Sequence, residues 1–288
     1  MPKAINMTGG LGRIVCALPA LKLLQEKEPD TIVVMNGWDD LYLHTNLNTV
    51  EAGTVAIGAL LENYDVITPE PYFQAGYRKG VYDMRYAFAL DLGVSFEDTI
   101  DYGVKLDPVL VRKYLTHFQG IPEAQGKPLA MIQVKASGDG PNIRDLNEET
   151  AKNAINACKN SGYFPVLIGD LNNIPFNLEC YNINNTALPD FITLVAMAEL
   201  FIGGDSAGMH LARAFGKKGI IYLTSTAGIR YYPDWFIEFR HPEHPVTFEH
   251  PRFFRAEQKQ SKLNLIKGVN NYFISEEDFN NAIHDIRE

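Results

Sequence analysis

Residues 201–226 read FIGGDSAGMHLARAFGKKGIIYLTST, and the changes of pattern inside this stretch decide the fold. An apolar run closes on Gly203-Gly204-Asp205, and the small residues Ser206-Ala207-Gly208-Met209 open a helical pattern that reaches Phe215. A second apolar run, GIIYLTS, begins at Gly219. Strand, helix and strand in that order make a parallel unit, because parallel strands need a crossover and a helix is the usual one. Small residues at the helix start expose its first free N–H groups, which with the helix dipole form a site for a diphosphate. Asp205, at the strand end, faces sugar hydroxyls or a ribose, its plainer reading being an N-cap. His210, one turn in, donates to a phosphate or a departing oxygen, its plainer reading being a packed helix residue.

The same alternation runs outward in both directions. Upstream, LAMIQVKA (129–136) reads as a strand, LNEETAKNAINACKNSG (146–162) as a helix capped by Asn147 and stopped at Gly162, and PVLIG (165–169) as the next strand; a helix follows around Phe191 to Glu199. Nearer the start, strands over Ala4 to Met7, Thr31 to Met35 and Asp65 to Thr68 alternate with helices over Ile14 to Gln25, Tyr82 to Leu92 and Pro108 to Phe118. FQGIPEAQGKP (118–128) interrupts the pattern and reads as an interdomain linker. The expected class is α/β, two doubly wound Rossmann-like domains facing a cleft, over residues 1–120 and 127–274. The tail SEEDFNNAIHDIRE (275–288) starts with a Ser275 cap, places Phe279, Ile283 and Ile286 on one face, and is expected to dock across the cleft as a terminal helix. No period of 20 to 50 residues repeats.

MTGGLGR (7–13) joins the first strand to the first helix, at the sheet edge where doubly wound domains bind ligands. The dinucleotide pattern GxGxxG is met at Gly10 and Gly12 and fails at Val15, and Asp30 fits its acidic partner only loosely. No Gly-Lys-Ser/Thr follows, which excludes a P-loop. The glycines either let a ligand approach the backbone or simply make a tight turn. Arg13 faces the unfavourable end of the helix dipole, which points to an anion or a carboxylate partner.

Composition narrows the classes. The chain has 288 residues, 46% hydrophobic and 21% charged, with a formal net charge of −9, a balance that argues against indiscriminate binding to nucleic acid or anionic lipid. No run approaches the roughly 18 apolar residues of a membrane span, and the N-terminus lacks a signal-peptide layout, so a cytoplasmic protein is expected. Cys16, Cys158 and Cys180 are odd in number and far apart, which disfavours a disulfide framework or a zinc site. Residues 209–262 carry nine Lys or Arg against five Asp or Glu, with four of the seven histidines, and would draw an anionic ligand.

The stretch 201–226, with DSAGMHLA at its centre, resembles the carboxyl-terminal donor-site signature of glycosyltransferase family 9, the ADP-heptose lipopolysaccharide heptosyltransferases, with the glycine displaced one position by Ala207. GGLGRIVCALPALKLLQEKEPDTIVVM is similar to that family's opening strand, glycine loop and helix, and residues 129–170 to its first carboxyl-domain strand, helix and second strand. The resemblance is clear over 1–35 and 129–226 and absent over 36–118 and 227–274. It implies a GT-B fold, with acceptor bound by the first domain and nucleotide sugar mainly by the second, and inverting, metal-independent transfer. Where the family carries a catalytic aspartate after the loop glycine, this chain has Arg13, which cannot be a general base. The Gly-Gly-Leu-Gly-Arg form is also similar to fucosyltransferase loops in which a basic residue touches the diphosphate.

Transfer at an anomeric carbon needs a base on one side and charge stabilisation of the departing diphosphate on the other. For the donor side the expected residues are Gly10, Gly12, Arg13, Lys135, Ser137, Arg144, Asp205, Ser206, Ala207, Gly208, Met209 and His210. For the base, Asp39 and Asp40 are candidates, with Trp38 and Tyr42 as stacking surfaces; Asp83 and Glu70 are alternatives, and each has the plainer reading of a surface carboxylate. No metal ligand set and no permanently bound cofactor are expected; a nucleotide-diphosphate sugar is the co-substrate. The acceptor is a saccharide by the resemblance, or a hydroxymethylated pyrimidine in DNA. Residues 239–258, FRHPEHPVTFEHPRFFRAEQ, either contact an anionic acceptor or form a long bracing loop. A non-catalytic nucleotide-sugar-binding module and an NAD-dependent oxidoreductase are the remaining readings.

Overall fold

A computed structural model describes residues 1–53, 59, 62–78, 82–95, 101–136, 145–172, 174, 176–184, 186–223, 236–240, 253–254 and 273–287. They form two compact units, the first covering Met1–Leu106 and the second beginning at Asp107.

In the first unit the apolar runs become strands β1 (Lys3–Met7), β2 (Ile32–Met35), β3 (Thr49–Glu51) and β4 (Asp65–Ile67). They pair in parallel in the order β3-β2-β1-β4. Helix α1 (Leu11–Lys27) joins β1 to β2 and buries Ile14, Val15, Ala17, Leu18 and Leu21, each contributing about 1.5–3 kcal/mol of burial for the larger side chains. The short helices α2 (Asp39–Leu43) and α3 (Ala75–Arg78) follow, then α4 (Met84–Asp91), which packs on α1.

The second unit holds β5 (Leu129–Gln133), β6 (Phe164–Gly169), β7 (Tyr181–Asn184), β8 (Leu200–Gly204), β9 (Gly219–Leu223), β10 (Phe236–Arg240) and β11 (Phe253–Phe254). All pairs are parallel, in the order β11-β10-β9-β8-β5-β6-β7. Its helices are α5 (Pro108–Gln119), α6 (Glu148–Asn160), α7 (Leu188–Met197), α8 (Ala207–Ala214) and α9 (Glu276–Arg287). β5 and β8 are buried along their whole length, as a sheet covered on both faces requires. The α6 boundaries are those expected: the Asn147 side chain accepts from the Thr150 N–H at 2.8 Å, and Gly162 ends the helix at φ +81°, a conformation that favours glycine.

Both doubly wound parallel sheets predicted from the sequence are present. The division between units, however, falls at Leu106/Asp107, ahead of the 118–128 stretch read as a linker. Tyr114 Oη and Lys113 Nζ on α5 donate to Asp190 Oδ1 on α7 at 2.7 and 2.6 Å, which ties α5 to the second unit. Within 118–128, Ala124 is buried; Pro and Gly mark a packed turn here, and composition does not separate such a turn from a linker. The short strands β3, β7, β10 and β11 were not expected.

Helix α9 opens with a reciprocal cap, the Ser275 N–H bonding Asp278 Oδ2 and the Asp278 N–H bonding Ser275 Oγ, both at 3.1 Å. Phe279, Ala282 and Ile283 are buried in the core of the second unit beside Ala151, Ile155 and Ile220. Asn153 on α6 donates to the Ile274 carbonyl at 2.9 Å. The tail thus packs on α6. Ile286, the third residue of its expected apolar face, is only partly buried.

Candidate functional site

In the second sheet the order turns at β5: β6 and β7 lie on one side, β8 and β9 on the other. Gln133 stands level with Gly203, so the carboxyl ends of β5 and β8 flank the point where a doubly wound sheet leaves a crevice for ligands. Ser206, Ala207, Gly208, Met209 and His210 follow β8 into α8 there, behind Asp205.

Ser206 is the N-cap residue of α8, but its side chain caps no N–H. Its Oγ instead donates to Gln133 Oε1 at 2.7 Å, while Gln133 Nε2 donates to the Lys135 carbonyl at 3.0 Å. Gln133 therefore ties the helix start to the end of β5. A Cβ on Gly208 would sit 2.2 Å from Gln133 Oε1 and 2.8 Å from the Phe201 ring, so only glycine lets α8 approach this closely. Asp205 is 8% exposed and His210 4%; His210 is packed within the helix. The Met209 side chain is fully buried, which leaves its backbone N–H as the group able to serve a ligand.

Lys135 lies two residues beyond Gln133 and is 3% exposed. Its Nζ has no hydrogen-bond acceptor among the described residues; the nearest carboxylate oxygen, Asp170 Oδ2, is 3.8 Å away. A buried ammonium without an acceptor costs several kcal/mol. It stands at the same sheet edge as the α8 N-terminus, whose free N–H groups and dipole favour negative charge. Ser137 and Arg144 lie outside the described residues, as does most of 224–272, including 241–252 and 255–258.

The first unit has its own switch point, between β1 and β4. Gly9, not Gly10 or Gly12, takes the left-handed conformation, at φ +105°; Gly10 is the extended N-cap of α1 and Gly12 stands inside the helix. A Cβ on Gly9 would meet Arg13 Cδ at 2.9 Å, so the glycine makes room for that side chain. Arg13 Nη2 donates to the Pro69 carbonyl at 2.5 Å and lies 3.4 Å from Glu70 Oε2. Its guanidinium sits 5.4 Å from the Tyr72 ring centre and 5.9 Å from that of Phe88. Of the two partners expected for Arg13, the structure supplies the carboxylate.

The candidate bases differ sharply. Asp83 is 8% exposed; it caps α4 by accepting from the Arg85 N–H at 2.8 Å and pairs with the Arg85 guanidinium. Its lone pairs are committed to structure, which removes it as a free base. Asp39 and Asp40 are exposed in the first turn of α2. Trp38 precedes them at φ +62°, with its indole Nε1 donating to the Gly9 carbonyl at 2.9 Å and 42% of its surface open, so it can serve as a stacking face. Tyr42 cannot, being 2% exposed; burial and the neighbouring Asp39 push its hydroxyl well above the ordinary tyrosine range. Asn36 donates to Asn6 Oδ1, and Asn6 Nδ2 to Thr68 Oγ1 at 3.1 Å, a polar chain across β2, β1 and β4. Sequence reading missed this chain and Gln133; the visible signal for the latter was a lone amide in the apolar run LAMIQVKA.

Among the described residues no three His, Cys, Asp or Glu side chains converge as metal ligands, and no helix is long and apolar enough to cross a membrane. No disulfide joins Cys16, Cys158 or Cys180.

Two parallel sheets of this topology define a GT-B fold, and solved structures share it. The chain is similar to a glycosyl transferase family 9 protein from Veillonella parvula DSM 2008 (TM-score 0.70, 12% identity, covering 99% of this chain and 96% of that one). It is similar to the dodecameric iron-containing heptosyltransferase TibC of enterotoxigenic E. coli H10407, solved with ADP-D-beta-D-heptose (TM-score 0.66, 17% identity, 99% and 76% covered). E. coli ADP-heptose lps heptosyltransferase II also matches (TM-score 0.56, 13% identity, 99% and 98% covered). No family model matches the chain, and no curated protein sequence does. At these identities the shared property is the fold.

Proposed function

We propose that the protein is a nucleotide-sugar-dependent glycosyltransferase, inverting and independent of metal, that transfers a sugar to the hydroxyl of a saccharide acceptor. The observation that carries this reading is the Lys135 ammonium, buried without an acceptor among the described residues at the carboxyl edge of β5, beside a helix start whose cap hydroxyl is turned away to Gln133. A diphosphate satisfies both at once: its charge pairs with Lys135 and its oxygens accept from the first N–H groups of α8. The donor charge that grows as the sugar leaves is stabilised by the same groups. The likeness of fold to heptosyltransferases, one of them solved with ADP-D-beta-D-heptose, supports a nucleotide sugar as co-substrate. Asp205, at the end of β8, takes the role of binding sugar or ribose hydroxyls in this reading. The first unit offers the acceptor side, with the Trp38 ring and the Asn36–Asn6–Thr68 chain as stacking and hydrogen-bonding surfaces.

Incubation with a panel of nucleoside diphosphate sugars, followed by chromatography of the released nucleoside diphosphate, tests the reading. Release from at least one donor is expected. A panel in which no donor binds and none is cleaved overturns it.

A further inference from the structure

Resting on the glycosyltransferase reading, we infer that Glu70 is the general base, held by Arg13 as a positioning residue. Among the described residues, two of the carboxylates near the switch point between β1 and β4 are consumed by structure. Asp83 caps α4 and pairs with Arg85. Asp91 accepts from the Glu70 N–H at 2.8 Å and from Gln74. Asp39 and Asp40 follow β2, one strand removed from the switch point. Glu70 remains, three residues beyond the end of β4.

Its position is fixed from several sides. Asp91 holds its backbone N–H, Arg13 holds the preceding Pro69 carbonyl, and the turn Pro71–Phe73 follows directly. The carboxylate is 41% exposed, and Arg13 is its one partner among the described residues, at 3.4 Å. Charge-assisted N–H···O bonds close to about 2.7–2.9 Å, so Arg13 orients Glu70 without saturating its lone pairs. Arg13 is itself 11% exposed and set over two rings, hence a firm support. This arrangement also accounts for an arginine at the end of the glycine loop: it fixes a carboxylate supplied by β4.

In the step, the acceptor hydroxyl gives its proton to a Glu70 carboxylate oxygen while its oxygen bonds the anomeric carbon. The bond from that carbon to the diphosphate oxygen breaks, and its electron pair leaves with the nucleoside diphosphate. Glu70 later releases the proton to solvent.

The test compares the full chain with Glu70→Gln, Glu70→Asp and Glu70→Ala. Nucleoside diphosphate release from the donor panel is followed with water or a panel of mono- and disaccharides as acceptor, and donor Kd is measured by calorimetry. Glu70→Gln is expected to lower kcat at least about a hundredfold, the low end for a lost general base, with donor Kd unchanged. Glu70→Asp retains more activity than Glu70→Gln, and added sodium formate restores turnover to Glu70→Ala, which a purely structural role does not predict. Glu70→Gln turnover close to wild type, or variants unresponsive to both Asp and formate, overturns the inference while donor binding by wild type leaves the glycosyltransferase reading standing. A wild-type chain that neither binds nor turns over any donor overturns both.

Discussion

The Lys135 ammonium is buried and finds no hydrogen-bond acceptor among the described residues, the nearest carboxylate oxygen there being 3.8 Å away, so burial of its charge opposes folding. Replacing a buried charge that has no close partner by an apolar side chain of similar length removes its desolvation cost. Lys135→Met is therefore expected to raise the melting temperature of the ligand-free protein by a few degrees, consistent with about 1–2 kcal/mol in a unit of this size. Differential scanning calorimetry checks this; a clear fall in melting temperature would show that Lys135 is a structural ion and not a ligand group. Arg13 makes the opposite case. Its charge is met by Glu70 and by the Pro69 carbonyl, a partnership between residues far apart in the chain that no local pattern announces. Asp83 looked available as a base, but its neighbour Arg85 and the α4 N-terminus claim it.

Among elements, the long buried ones were legible and the short polar ones were not. β5 and β8 are apolar runs buried throughout, and α6 carries a cap and a stop in its own residues, which is why these were readable from pattern alone. β3 has three residues and β7 four, all partly or well exposed, so only pairing with a neighbour makes them strands. Helix α5 was visible, but its attachment was not, because that depends on Asp190 across from it. Burial raises the Asp190 pKa, yet hydrogen bonds from Lys113 and Tyr114 outweigh it and hold the carboxyl below its ordinary range. A carboxylate with a lowered folded-state pKa adds stability above its unfolded value, near 3.9, and loses it as pH falls through the folded value. Asp190→Asn is accordingly expected to destabilise the protein by about 1 kcal/mol at pH 7, with the gap to wild type closing below about pH 4. Urea melts at both pH values measure this, and a gap that stays constant with pH would refute the ion-pair account.

At the scale of the whole molecule, two doubly wound units were expected from the alternation of strands and helices, and both parallel sheets are present. The division at Leu106/Asp107 was not legible, because residues 118–128 carry the Gly and Pro of a linker while packing as a turn. The proposed chemistry divides by unit: an anion site at the β5 and β8 edge, and a carboxylate on an arginine support at the β1 and β4 edge. Its central claim is the anion site. The most direct measurement is calorimetric titration of ADP, UDP, GDP, CDP and TDP into the wild-type chain and into Lys135→Met. The account predicts that at least one nucleoside diphosphate binds wild type and that Lys135→Met weakens it by about tenfold to a hundredfold, the loss of a charge-assisted bond. No binding to wild type, or equal affinity in the two proteins, would contradict it.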